Sequence, residues 1–530
     1  FDEMYYYILG HNLVSGRGYT LNGLPHTAFP PLYPLLVGLV ALVTDNIRLA
    51  TCSVSCVAGA LLPLPVFFLT RDVYGRRTAI YAAVAATVWP SLTFFSAEYV
   101  PYVFKLYCGS EPLYITLFMS GAAFLWLFSR HGGWLRAASA GACFGLASLV
   151  RSEGPVVFAF LFLWLVIDLA VRRRLFNARA LAQTALVAVA MTAAFSPFLF
   201  YLHGVTGRWS LGAKLSNKVM IREALWKWVS KNKNTEFLDI HYRLNEDATE
   251  MDQPYWGITP YHLERSSGPG MLSTGFSAIA DADARWLLVF GQGMLRGQSP
   301  LARWYTWAFI VAALIVPPWN AKTFSWVAFL FSSAVSMAII AVSLGIIPRN
   351  LLYLMPFAAI LLARGLDLAR MLILRTIGGA RASNRLLALS AELPAVVIIA
   401  LLVTAIFVQN RPEPPPHLHV TGLAAQAQER VVARRLSEIL PPGTPLMCNN
   451  PWIALWAGLD WRVSPMDTQE RIAAYAINRG IAYAVISPWQ LRPTGKPEAL
   501  APYLDPRLDG NGQYYLFNFS RTTEPNPSGG

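Results

Sequence analysis

Pro155-Val156-Val157-Phe158-Ala159-Phe160-Leu161-Phe162-Leu163-Trp164-Leu165-Val166-Ile167, running on to Val171 and ending in Arg172-Arg173-Arg174, decides how this chain is read. A run of this kind reaches the length of a helix crossing the hydrocarbon core of a bilayer, about 17–25 residues. Arginines at its end orient it, because positive loops stay on the cytoplasmic side. Comparable runs lie near 49–70, 79–95, 112–129, 137–150, 183–203, 301–317, 324–347, 350–366 and 388–408, which makes about ten spans in all. The segment 31–44 is apolar but short and proline-led, and reads as a re-entrant or interfacial helix.

Composition agrees. Of 530 residues, 55% are hydrophobic and 14% charged, with a mean hydropathy of +0.41; a soluble domain carries about 25% charged residues. The net charge of +13 does not point to nucleic acid, because the basic residues cluster in short loops between apolar runs. These clusters are Arg71, Arg76 and Arg77; Arg130 and Arg136; Arg172–Arg174 and Arg179; Lys322; and Arg364, Arg370, Arg375, Arg381 and Arg385. Ten spans put all of them on one face, which the positive-inside rule makes cytoplasmic. The opposite face then holds 1–48, 96–111, the turn near 151–154, the long loop 204–300, the turn at 348–350 and everything after 409. The sequence begins without Met and without a preceding apolar segment, so one further span upstream is expected.

The tail changes character. Arg411-Pro412-Glu413-Pro414-Pro415-Pro416 is a stiff linker. Beyond it the pattern predicts a helix at 423–440, a strand at 445–449, a helix opened by Asp467-Thr468-Gln469-Glu470 and closed by Gly480, and strands at 481–486 and 514–517. The fold class expected is therefore a polytopic α-helical membrane protein (1–410) with a small extracytoplasmic α/β domain (420–525), its sheet partly parallel.

No nucleotide loop, zinc-protease motif or Cys-His cluster is present. Cys52 and Cys56, four apart in an apolar helix, read as small packing residues; Cys108 and Cys448 fall on the same face and could pair. His203, His241 and His262 lack ligand spacing and are expected at the surface. Chemistry falls instead to loops beside the bilayer. Asp2 and Glu3 open a Tyr-rich segment, where a carboxylate could take a proton from an acceptor or help hold a divalent cation, or could simply start a solvated helix. Glu111, in Ser110-Glu111-Pro112, is either helix-start chemistry or a second acid facing Asp2; Glu98 is a weaker competitor. Lys214, Lys218 and Arg222 share one helix face, suited to lipid phosphates in general or to one phosphate of a bound substrate. Arg349 lies on the face poor in positive charge, where it either snorkels to headgroups or meets an anion. Arg151 and Glu153 read as a local ion pair.

Asp2-Glu3 with Tyr7, Asn12-Leu13, Gly16-Arg17-Gly18-Tyr19 and Pro30-Pro31-Leu32-Tyr33-Pro34 closely resembles the first extracytoplasmic loop of the C-superfamily (GT-C) membrane glycosyltransferases. The branch it resembles contains relatives of protein O-mannosyltransferases and of the aminoarabinose transferase acting on lipid A. Ser110-Glu111-Pro112-Leu113, Leu149-Val150-Arg151-Ser152-Glu153-Gly154 and Pro348-Arg349-Asn350-Leu351-Leu352-Tyr353 with Pro356 look like the same branch. The resemblance covers residues 1 to about 410.

It implies that Asp2 is the general base or positions the acceptor, with Glu3 beside it and Glu111 a second acid near the cavity. It also implies that Lys214, Lys218 and Arg349 contact the lipid phosphate. The expected donor is a polyprenyl-phosphate sugar, and the acceptor a lipid, glycan or protein, attacked in one inverting displacement at the outer face of the plasma membrane. No nucleotide or other cofactor is required by the sequence; a divalent cation could serve, as it does in some members. Two other readings stay open: a flippase or transporter of lipid-linked glycan, and a ligase moving a whole oligosaccharide. A silent scaffold would make Asp2 dispensable.

Overall fold

A computed structural model describes residues 2–44, 46–88, 109–211, 244–251, 259, 262, 304–316, 320–344, 353–378, 418–491, 496–508 and 514–520. It begins with helix α1 (Asp2–Val14), followed by a hairpin of β1 (Thr20–Leu21) and β2 (Leu24–Pro25). Asn22 and Gly23 turn the hairpin at φ of 58° and 74°, the doubly positive turn that Asn-Gly favours. Helix α2 (Leu32–Thr44) has 13 residues, too few to span, and lies along α1. Their backbones touch where Gly10 meets Gly38: a Cβ on Gly10 would stand 2.1 Å from the Pro34 carbonyl oxygen, and one on Gly38 2.5 Å from that of Gly10. Only glycine permits this approach, which fixes the helix carrying Asp2 and Glu3 against α2.

The bundle continues with α3 (Ile47–Leu61), α4 (Pro63–Tyr74), α5 (Arg76–Val88), α6 (Glu111–His131), α7 (Trp134–Ser148), α8 (Gly154–Val171) and α9 (Ala178–Thr206), then α10 (Trp304–Ile315), α11 (Ala321–Leu344) and α12 (Met355–Gly378). The span expected at 49–70 is present as Leu49–Tyr74, with a local turn at Leu62 where Pro63 and Pro65 offer no N–H to the preceding turn. Among the described residues four helical stretches are long and apolar enough to cross a membrane: Leu49–Tyr74, Glu111–His131, Gly154–Val171 and Ala178–Thr206. The other expected spans are helical where described; the one at 388–408 lies outside the described residues. Trp126 on α6, Trp164 on α8 and Trp326 and Phe329 on α11 form the aromatic centre, with ring centroids 4.7–6.0 Å apart.

Charge divides along the bundle. The basic loops that sequence placed on one face do meet there: Lys322 and His131 both reach Asp72, Arg174 donates to the Ser129 and Arg130 carbonyls, and Arg364 and Arg370 flank Asp367. At about 1.5 Å per residue, the 21 residues of α6 set Glu111 about 30 Å from this end.

Helix α13 (Leu418–Ile439) leads to a four-stranded sheet of order β4-β3-β5-β6, formed by β3 (Pro445–Cys448), β4 (Asp460–Val463), β5 (Tyr483–Ile486) and β6 (Tyr515–Asn518). The first three strands are parallel and β6 is antiparallel. Helices α14 (Pro451–Trp456) and α15 (Gln469–Asn478) connect them. Thr468 precedes α15 without a side-chain capping bond; Asp467 instead holds Arg471 at 3.0 Å. The sheet docks on the first loop. Val463 donates its N–H to Asn22 Oδ1 (3.0 Å), the Trp461 ring lies 5.6 Å from that of Tyr5, and the Arg462 guanidinium covers Gly23. The tail also meets residues 244–251: Arg471 donates to the Asn245 and Glu246 carbonyls and Arg479 pairs with Glu250 at 3.2 Å.

Two cysteine expectations are corrected. Cys52 is disulfide-bonded rather than a packing thiol. Cys448 is a free thiol buried in β3, so it makes no bridge to Cys108.

Candidate active site

Four stretches far apart in sequence converge at the end of the bundle away from the arginines. Glu3, the second residue of α1, is buried and its Oε1 accepts from Thr51 Oγ1 at 2.7 Å. Tyr33, in the Pro30–Pro34 stretch, donates to the Thr51 carbonyl (3.2 Å) and shares a 2.8 Å bond with Ser55 Oγ. Ser55 in turn donates to the Gly109 carbonyl at 2.8 Å. Tyr6 bonds Ser110 Oγ at 3.1 Å while its ring lies edge-on to Tyr33 at 4.9 Å. A hydrogen-bonded path thus runs from the acidic start of α1 to the start of α6.

There Glu111 meets Arg151. The guanidinium donates from Nη1 to Glu111 Oε1 at 2.7 Å and from Nη2 to Glu153 Oε1 at 3.1 Å, with the three side chains 2%, 4% and 1% exposed in the order Glu111, Arg151, Glu153. The helix-start account of Ser110-Glu111 is therefore incomplete. Ser110 makes no capping bond through its side chain, giving its hydroxyl to Tyr6, and the Glu111 carboxylate turns inward. The Arg151–Glu153 pair is present but is half of a triad. Burial disfavours the Arg151 charge, and Glu153, Tyr353 and Glu111 outweigh that and raise its pKa, so it stays a guanidinium. Tyr353 lies under it, ring centroid 5.6 Å away, and packs on Tyr114 at 4.7 Å. The Tyr353 and Tyr114 hydroxyls, Glu111 Oε2 and Arg151 Nε are buried without hydrogen-bond partners. The turn itself is tied to α2 by Leu32 N–H donating to the Leu149 carbonyl at 2.8 Å.

Two carboxylates share one buried guanidinium, and Glu3 adds a third buried acid, held by Thr51. So acidic a neighbourhood suits a cation or a donor hydroxyl better than a second anion. A phosphate clamp has to come from elsewhere. Lys214, Lys218 and Arg349, expected in that role, lie outside the described residues, as do Glu98, Arg222 and His241. Asp2 opens α1 one residue before Glu3. Among the described residues no three His, Cys, Asp or Glu side chains gather as a metal cage. His262 is not a surface residue: it is buried, bonding Thr259 Oγ1 and the Met251 carbonyl at 2.8 Å each.

Sequence reading missed Thr51, Ser55 and Tyr114. The first two carried a signal, being hydroxyls four apart in an apolar helix and so on one face.

The described residues thus form a helical bundle with the buried acids Glu3, Glu111 and Glu153 gathered at one end. No family model and no curated protein matches the chain. Among solved structures, the chain is similar to ArnT from Cupriavidus metallidurans bound to undecaprenyl phosphate, with a TM-score of 0.55 and 15% identity over 98% of this chain and 94% of that one. Against ArnT in the apo state the TM-score is 0.52 at 13% identity, over 99% and 94%. A lower similarity, TM-score 0.48 at 14% identity over 92% and 66%, is to the Archaeoglobus fulgidus oligosaccharyltransferase. The fold implied by the sequence resemblance is the fold found.

Proposed function

We propose that this chain is a membrane glycosyltransferase that moves a sugar from a polyprenyl-phosphate carrier to a lipid, glycan or protein acceptor. The observation that carries this reading is the convergence of Glu3, Tyr33, Glu111, Arg151 and Tyr353 at one end of the bundle. These residues come from the separate stretches that resemble the GT-C enzymes. The fold similarity to a transferase crystallised with undecaprenyl phosphate supports the choice of donor.

In the proposed reaction an acceptor hydroxyl or amine attacks C1 of the sugar while the bond from C1 to the phosphate oxygen breaks, inverting the anomeric centre. The acceptor's proton passes to Asp2, and polyprenyl phosphate leaves with the electron pair. Lys214, Lys218 and Arg349 stabilise its charge. Glu3, held by Thr51, and Glu111, held by Arg151, orient the acceptor side. The reaction takes place on the extracytoplasmic face of the plasma membrane, opposite the arginine-rich end, and the sheet of the tail braces the first loop against the long loop. A divalent cation is compatible with the acids but no step is assigned to it.

The test is transfer by the full-length protein in lipid, offered radiolabelled polyprenyl-phosphate sugars and a membrane extract as acceptor source, beside Asp2→Asn. Transfer lost in the variant supports the reading. Transfer that survives keeps the class and moves the base to Glu3 or Glu111. Movement of lipid-linked glycan across the bilayer without transfer replaces it with a flippase.

A further inference from the structure

The end of the bundle opposite the acids carries a cavity of about 390 Å³ lined by Asp72, Arg130, His131, Arg172, Ala321 and Lys322. Its charges are not all compensated. Arg172 Nε is bound to Asp168 Oδ2 at 3.1 Å, and Asp168 also accepts from Ser129 (2.6 Å) and Ser325 (2.5 Å). Asp72 accepts from Trp126 Nε1 and bonds His131 Nε2, both at 2.8 Å. Lys322 approaches its carboxylate to 3.6 Å and donates to its backbone carbonyl. Arg130 is the exception. It stacks on Trp126, 4.1 Å from ring centre to guanidinium carbon, and has no carboxylate partner among the described residues. Among the described residues its Nε and Nη2 make no hydrogen bond, and both are closed to water, so a ligand meets them as the Arg130 side chain turns toward the cavity.

Those two nitrogens form the side-on fork of a guanidinium, whose parallel N–H groups match two oxygens of one phosphate. Stacking on an indole fixes the fork's plane without using its donors. Lys322, 41% exposed, supplies a second cation, and His131, half exposed, stands at the rim on Asp72. We propose that this cavity is a phosphate site: Arg130 takes two phosphate oxygens side-on and Lys322 a third. The phosphate is carried by the headgroup of an anionic lipid in the adjoining leaflet or is free in solution. The site is separate from the acidic end, about 30 Å away along α6, and does not depend on the transferase reading.

The experiment is lipid retention by the full-length protein, read by native mass spectrometry of nanodiscs containing phosphatidylglycerol in phosphatidylcholine. Wild type is compared with Arg130→Gln, Lys322→Gln and the exposed control Arg179→Gln. Arg130→Gln should weaken retention about tenfold, the size of one charge-assisted hydrogen bond, and Lys322→Gln by less, with the control unchanged. Inorganic phosphate is added in a parallel arm. If it displaces the lipid, the site also takes free phosphate; if it does not, the site belongs to lipid. Equal losses in all three variants, or none in Arg130→Gln, overturn the proposal and reduce the region to generic attraction between arginines and anionic lipid. Should Arg130→Gln fail to fold, Lys322→Gln against Arg179→Gln decides alone.

Discussion

Arg151 holds Glu111 at 2.7 Å across forty residues of chain, in a place neither side chain shares with solvent. A guanidinium buried among two carboxylates is stable only while the set is intact. Removing Arg151 leaves Glu111 and Glu153 as uncompensated buried charges. Arg151→Met should therefore cost about 3–5 kcal/mol, the range for breaking a buried pair. Arg151→Lys should recover part of it, because an ammonium cannot reproduce two directed bonds from one plane. Thermal unfolding of both variants in the same detergent checks the order.

Thr51 donates to Glu3 and stands one helical turn from Ser55. Thr51→Val keeps the shape and removes the hydroxyl. On the proposed mechanism the acceptor side loses orientation, and kcat for sugar transfer should fall about tenfold, equivalent to ~1.4 kcal/mol, with the melting temperature nearly unchanged. A variant that loses stability but keeps kcat would assign Thr51 to structure alone.

Gly10 and Gly38 let α1 and α2 meet backbone to backbone. Gly10→Ala forces them apart and should cost about 1–3 kcal/mol, as overpacking does. Gly204, with open space at the Cβ position, is the matched control, and Gly204→Ala should stay within about 0.5 kcal/mol of wild type. Because α1 carries Asp2 and Glu3, Gly10→Ala should also lower transfer.

Burial pushes the Cys448 thiol up to about 12 from an ordinary value of 9.0. A thiol whose folded pKa is raised contributes stability that is fully present below the unfolded value, and that contribution is lost as pH rises from about 9 through about 12. Thermal scans of the full chain across that window should show a fall that is shallower in Cys448→Ala. Thiol reagents near neutral pH should leave Cys448 unmodified in the folded protein and label it once the protein is unfolded.

Much of this architecture was legible because apolar run length and arginine placement are one-dimensional signals. The end of α8 at Arg172 and the meeting of Asp72, His131 and Lys322 at one face follow from them. Strands at 445–448 and 483–486 were marked by buried-type runs between breakers. The site was only half legible. Glu3 and Glu111 stood out as acids beside a bilayer, but nothing in a linear pattern says that Arg151, while keeping its local pairing with Glu153, would also bridge forty residues back to Glu111. The hydroxyls of Tyr114 and Tyr353, without a hydrogen-bond partner among the described residues, are a feature of the packing that no linear pattern marks.

The central claim is that the acidic end performs sugar transfer, and single-turnover transfer by Asp2→Asn and Arg130→Gln against wild type tests it most directly. With saturating polyprenyl-phosphate sugar, Asp2→Asn should lose transfer by at least about a hundredfold, the lower range for removing a general base. Arg130→Gln, at the far end, should transfer at the wild-type rate. Equal activity in all three proteins would move the base from Asp2 to Glu3 or Glu111, and a loss confined to Arg130→Gln would contradict the account.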